Sequence, residues 1–119
     1  MELEMIERIG MTDRWSDAVL AGNILFIAGH TADKYRSHSV FAQTQEVLSL
    51  LDITLSKSGM TKVNLVTVQI FLSDITKIDE MNKAWDGWVA KSAAPSRATV
   101  EARLASPEIA VEITGIAFR

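Results

Sequence analysis

Apolar positions recur at two different spacings along the chain, and each change of spacing marks a new element. Met5 to Ile9 reads as a short strand. Ala18-Val19-Leu20 leads into Gly22-Asn23 and then Ile24-Leu25-Phe26-Ile27, which predicts a hairpin over residues 17–29. The Gly-Asn pair supplies the positive φ that a tight two-residue turn needs. Residues 30–38 are polar, carry His30 and His38, and read as a loop. From Val40 to about Lys57 the period becomes helical. Val40, Thr44, Val47, Leu48, Leu51 and Leu55 fall on one stripe. Ser39 stands where an N-cap belongs and Gly59 where a C′ glycine would end the helix.

Strict alternation then returns. Val66, Val68, Ile70 and Leu72 form one apolar face of a strand, with Phe71 breaking the polar series opposite. Asp74 or Thr76 can cap a second helix over residues 76–91, whose stripe is Ile78, Met81, Trp85, Trp88 and Val89. Pro95 closes it. Arg97 to Leu104 is the next strand and Ile109 to Phe118 the last, with the turn at Pro107 between them.

The order is β-β-β-α-β-α-β-β, an α+β pattern: a six-stranded mixed sheet with two helices packed on one face. The other face is expected to carry Thr67, Gln69, Arg97, Thr99, Glu101, Glu112 and Thr114. For an antiparallel sheet such a face is commonly solvated. Phe71 and Ile116 among the polar groups also suit a subunit interface enclosing small polar pockets.

Composition narrows the chemistry. With 119 residues, 1–119 reads as one domain. There is no cysteine, so disulfides, thiol nucleophiles and thiolate zinc sites are excluded. Two histidines leave little material for a Ser-His-Asp triad or a histidine-rich metal site. Net charge is −3 with no basic stripe, which argues against a nucleic-acid partner. The acidic start Met1-Glu2-Leu3-Glu4 lacks the pattern of a signal peptide, and no apolar run is long enough for a membrane span. A cytoplasmic protein without metal or organic cofactor is expected.

Four segments carry a resemblance. They are Arg14-Trp15-Ser16-Asp17-Ala18, Phe26-Ile27-Ala28-Gly29-His30, Met81-Asn82-Lys83-Ala84-Trp85-Asp86, and Pro95-Ser96-Arg97-Ala98-Thr99-Val100-Glu101-Ala102-Arg103-Leu104 followed by Val111-Glu112-Ile113. On these the sequence resembles the RidA/YjgF family, and its YoaB-like branch more than RidA itself. The resemblance implies a homotrimer whose sheets form a central barrel, with active sites in clefts between subunits. The implied activity is hydrolysis of reactive 2-imino or enamine acids to 2-oxo acids and ammonia.

It also assigns roles. Arg97 matches the arginine that anchors the substrate carboxylate, a task suited to the planar guanidinium fork. Glu112 matches the glutamate that positions water, and a carboxylate can also shuttle protons. Periodicity alone favours an exposed strand arginine paired with Glu101 or Glu112, and the motif reverses that in favour of binding. Thr99 stands where many relatives have cysteine; its backbone can still bind substrate, and its side chain also suits a strand. Trp15 replaces a tyrosine, Ala28 replaces the serine of RidA, and His30 replaces a common glutamine, so the pocket rim differs. Asn82 is a supporting residue on the second helix. A loop histidine such as His30 is usually solvated.

The alternative is a non-catalytic protein that binds 2-oxo acids or similar small carboxylates as a sensor. Nucleic-acid processing and chorismate-mutase chemistry fit less well, for want of basic tracts and of a second convincing arginine.

Overall fold

The structure, a computed structural model, describes residues 5–119; the start Met1-Glu2-Leu3-Glu4 lies outside the described residues. The elements are β1 (Ile6–Ile9), β2 (Ala18–Ala21), β3 (Ile24–Thr31), α1 (Val40–Ser56), β4 (Leu65–Leu72), α2 (Ile78–Asp86), β5 (Ser96–Glu101) and β6 (Val111–Phe118). This is the order expected from periodicity. The strands form one sheet in the order β1-β2-β3-β6-β4-β5. All neighbours are antiparallel except β4 and β5, which run parallel because α2 carries the chain back between them.

Local chemistry explains the boundaries. Gly22 opens the β2–β3 turn with φ +62°. The Ser39 side chain accepts a hydrogen bond from the Ala42 N–H at 3.1 Å and caps α1. All six residues of the expected α1 stripe are buried, and Gln43 and Thr54 are buried beside them. Lys57 caps the C-terminus of α1, and Gly59 lies two residues beyond it with φ +69°. α2 is shorter than the expected 76–91. A 3₁₀ turn over Ile75–Lys77 precedes it, and the chain leaves the helix at Gly87. Trp88 and Val89 pack on the core from outside the helix.

Two strands carry bulges. Between Leu65 and Thr67 the β4 register gains one residue against β6. Val66 is therefore 53% exposed, although alternation placed it with Val68, while Leu65 takes its core position. In β3 the register shifts between Ile27 and His30, so Ala28 and Gly29 stand outside the regular ladder. β5 ends at Glu101 rather than Leu104, and β6 begins at Val111 rather than Ile109.

The core lies between the helices and one sheet face, with Leu25, Leu48, Leu51, Leu55, Ile70, Leu72, Met81 and Ile113 fully buried. Paired residues of neighbouring strands share a face. Val68, Ile70 and Leu72 face the core, and their partners on β5 are Arg97, Thr99 and Glu101. These three are therefore on the helix side, which corrects the expectation that they share the open face with Glu112. The parallel register decides this point. The open face carries Thr67, Gln69 and Phe71 opposite Ile116, Thr114 and Glu112, with Ala98 and Val100 on the β5 edge. Phe26 lies opposite Ile116 on that face and is 47% exposed. No described helix is long and apolar enough to cross a membrane.

Candidate functional site

Arg97 sits on the edge strand β5 with its side chain turned toward α2. Its Nη1 donates to Asn82 Oδ1 at 2.8 Å and lies 4.0 Å from Met81 Sδ. Its guanidinium carbon is 5.5 Å from the centre of the Trp85 ring. Trp85 is buried, so it gives the arginine a rigid aromatic floor. These partners are all neutral. Neither glutamate considered as an ion-pair partner takes that place. Glu101 Oε1 accepts from the Ile75 N–H at 3.0 Å and caps the turn before α2. Glu112 points from the other face of the sheet. The arginine is held in direction and remains exposed, with its charge available to an anion.

Thr99 lies two residues along the same strand face. Its Oγ1 is buried and has no hydrogen-bond partner among the described residues. Most buried hydroxyls are satisfied. The side chain places this polar atom on the same strand face as Arg97.

Glu112 is half-buried on β6 and lies over the β3 bulge. A Cβ placed on Gly29 would fall 2.0 Å from Glu112 Oε2, so the carboxylate rests where a side chain would otherwise be. A glycine within a strand often marks such a close approach, and this was the available signal for Gly29 in the sequence. Ala28, the other bulge residue, donates its N–H to Asp17 O at 2.9 Å. Trp15 is 57% exposed in a turn held by Thr12, whose N–H donates to Trp15 O at 2.7 Å. Trp15, Gly29 and His30 line one cleft of about 340 Å³ with Ile53 and Lys57 of the α1 end.

His30 is not a loop residue. It stands within β3, one residue before its end, half-buried, with Nδ1 donating to Ala28 O at 2.7 Å and Nε2 2.8 Å from Thr54 Oγ1. The expectation of a solvated histidine fails because the bulge turns the ring inward toward α1. Nothing in the local sequence pointed to Thr54, which is 24 residues away.

The predicted residues thus fall into two groups. Arg97, Asn82 and Thr99 stand on the helix side of the β5 edge. Ala28, Trp15 and His30 gather around the β3 bulge with Glu112 of the neighbouring β6, and β4 lies between β6 and the Arg97 strand. Within one chain Arg97 and Glu112 stand on opposite faces of the sheet. Among the described residues no group of three or more His, Asp or Glu side chains could hold a metal ion.

Fold and sequence together define the class. The family model described as "Endoribonuclease L-PSP" matches residues 5–119. A RutC family protein of Haemophilus influenzae is 43% identical over 94% of this chain and 97% of its own length. The RutC family protein YoaB of Escherichia coli is 39% identical over 94% of this chain and 96% of its own. A crystal structure of a YjgF-family protein from Neisseria meningitidis superimposes with a TM-score of 0.92 at 38% identity, covering 96% of this chain and 94% of that one. The chain belongs to the RidA/YjgF family.

Proposed function

We propose that this protein hydrolyses reactive 2-imino or enamine acids to 2-oxo acids and ammonia, at sites shared between neighbouring copies of a homotrimer. The observation that carries the reading is the state of Arg97. Its guanidinium is exposed, oriented by Asn82 and floored by Trp85, and its partners are neutral. A small carboxylate would complete it with two charge-assisted hydrogen bonds.

The chemistry then needs little equipment. Arg97 holds the carboxylate of the iminium form. Glu112 of a neighbouring copy orients a water toward the C=N carbon and takes a proton as the C–O bond forms. The tetrahedral intermediate passes through nitrogen protonation, the C–N bond breaks, and ammonia leaves as the C=O bond forms. Each turnover consumes one imino acid and one water and needs no electron carrier. The separation of Arg97 and Glu112 within one chain supports a site built from two chains. The open sheet face supports the same assembly, since Phe26, Val100 and Phe118 are exposed on it among polar groups.

The test generates imines in place with an amino-acid oxidase acting on a panel of amino acids, and follows their disappearance with and without this protein. Acceleration that is lost in Arg97→Ala supports the reading; no acceleration of any imine overturns it. The rim favours one second reading. Trp15 and Ala28 place no side-chain hydroxyl at their positions, so the same arginine station would serve a 2-oxo acid sensor without turnover. Calorimetric binding of 2-oxo acids by a protein inactive on every imine would select that reading. The family description names a ribonuclease activity, but the net charge of −3 opposes binding to a polyanion.

A further inference from the structure

The β3 bulge needs something to hold it, because bulge residues leave the regular ladder and lose its hydrogen bonds. The Ala28 carbonyl is satisfied by a side chain two residues on: His30 Nδ1 lies 2.7 Å from it. A carbonyl oxygen only accepts, so Nδ1 must carry the proton. In the neutral ring Nε2 is then an acceptor, and the Thr54 hydroxyl, 2.8 Å away, donates to it. Thr54 is 5% exposed on α1, so this second bond anchors the ring to the rigid layer beneath the sheet. The imidazole bridges the bulge and the helix, and Gly29 is the residue enclosed by the bridge.

Gly29 is also the surface against which Glu112 lies. A Cβ on Gly29 would stand 2.0 Å from Glu112 Oε2, so the carboxylate occupies the space beside this residue and a shift of the bulge toward it would displace the carboxylate. We infer that His30 is a positioning residue: through Ala28 and Gly29 it sets where the Glu112 carboxylate stands. The inference rests on the reading of Glu112 as the group that orients water. It involves no contact between His30 and substrate.

Two measurements test it. The first is the ¹⁵N spectrum of the His30 ring in the full-length protein, which reports its tautomer independently of any activity. The expected pattern has a protonated Nδ1 and an acceptor Nε2; a dominant Nε2–H tautomer overturns the clamp. The second is the kinetics of His30→Ala and His30→Asn, with folding checked by circular dichroism. The alanine variant is expected to lose about tenfold in kcat, because a displacement well under 1 Å at a reacting group has effects of this order. Its KM should change less than about twofold, since Arg97 is remote from the bulge. His30→Asn places an amide nitrogen where Nδ1 was and is expected to recover most of the loss. A folded alanine variant with full kcat, or an asparagine variant as impaired as alanine, overturns the proposal. If the wild-type protein deaminates nothing, the deaminase reading fails, and the ring spectrum alone decides the clamp.

Discussion

Arg97 Nη1 and Asn82 Oδ1 lie 2.8 Å apart, joining the edge strand of the sheet to the middle of α2. The bond takes one face of the guanidinium fork and leaves the rest for a ligand. Asn82→Ala removes it without touching the charge. A hydrogen bond to a charged group contributes about 1.5–3 kcal/mol. The expected outcome is weaker binding of a 2-oxo acid by calorimetry, by at least about tenfold. An unchanged affinity would show that Trp85 alone orients the arginine.

Arg97 and Glu112 point from opposite faces of the sheet, and this makes a mixing experiment decisive. Arg97→Ala and Glu112→Gln are each expected to be inactive alone. Under the proposed trimeric assembly, the two variants denatured together and refolded should regain activity, because some interfaces then receive an intact arginine from one copy and an intact glutamate from another. Failure of well-folded mixed trimers to regain activity would place both groups in one chain's site.

Gly29→Ala tests the close approach from the other side. Its Cβ would fall 2.0 Å from Glu112 Oε2, so the carboxylate must move. Deamination is expected to fall by at least about tenfold while the protein stays folded. Adding Glu112→Ala should relieve the clash, so the double variant is expected to be more stable than Gly29→Ala alone. Urea unfolding of the four proteins in the cycle checks this.

Gln43 is 1% exposed and satisfies three backbone groups at once. Its Nε2 donates to His38 O at 3.1 Å and Glu108 O at 3.0 Å, and its Oε1 accepts from the Ala110 N–H at 2.9 Å. Gln43→Leu keeps the bulk and strands those groups. A loss of about 2–4 kcal/mol in unfolding free energy is expected, since each buried group left unpaired costs about 1–3 kcal/mol and some relax toward water. An effect below about 0.5 kcal/mol would mean that the 106–110 segment folds independently of this amide.

Glu46 gives a pH dependence with a definite sign. Burial raises its pKa, but the backbone N–H groups of Lys34, Asp33 and Tyr35 converge on the carboxylate and outweigh it, so the net shift is downward from 4.5. The hydrogen bonds measure 2.9, 3.0 and 2.8 Å respectively. A depressed carboxylate contributes stability that is complete above its unfolded-state pKa and is lost as pH falls through the folded value. Wild-type stability should therefore decline below about pH 4.5 more steeply than that of Glu46→Gln. Parallel slopes in thermal melts between pH 3 and pH 6 would remove Glu46 from the acid response.

Much of the architecture was legible because burial in this chain follows period. The α1 stripe from Val40 to Leu55 and the Gly22 turn need only local information: a helical face to bury, a serine to cap it, and a glycine where φ is positive. The sequence also singled out Arg97, Glu112 and Asn82 by motif. Relations between strands were not legible. Alternation says that Arg97, Thr99 and Glu101 share a face, but not which face, because that depends on register with β4 and a single step reverses it. The two bulges had the same effect on Val66 and on His30: one extra residue turns a side chain over, and period-two counting carries no record of it. Sequence by itself therefore determined which elements form and which residue types are available for chemistry. Only the tertiary structure decided that Arg97 rests on Trp85, that Glu112 rests on Gly29, and that these lie on opposite sides of the sheet, because pairing register and bulge position are set by contacts between residues far apart in the chain.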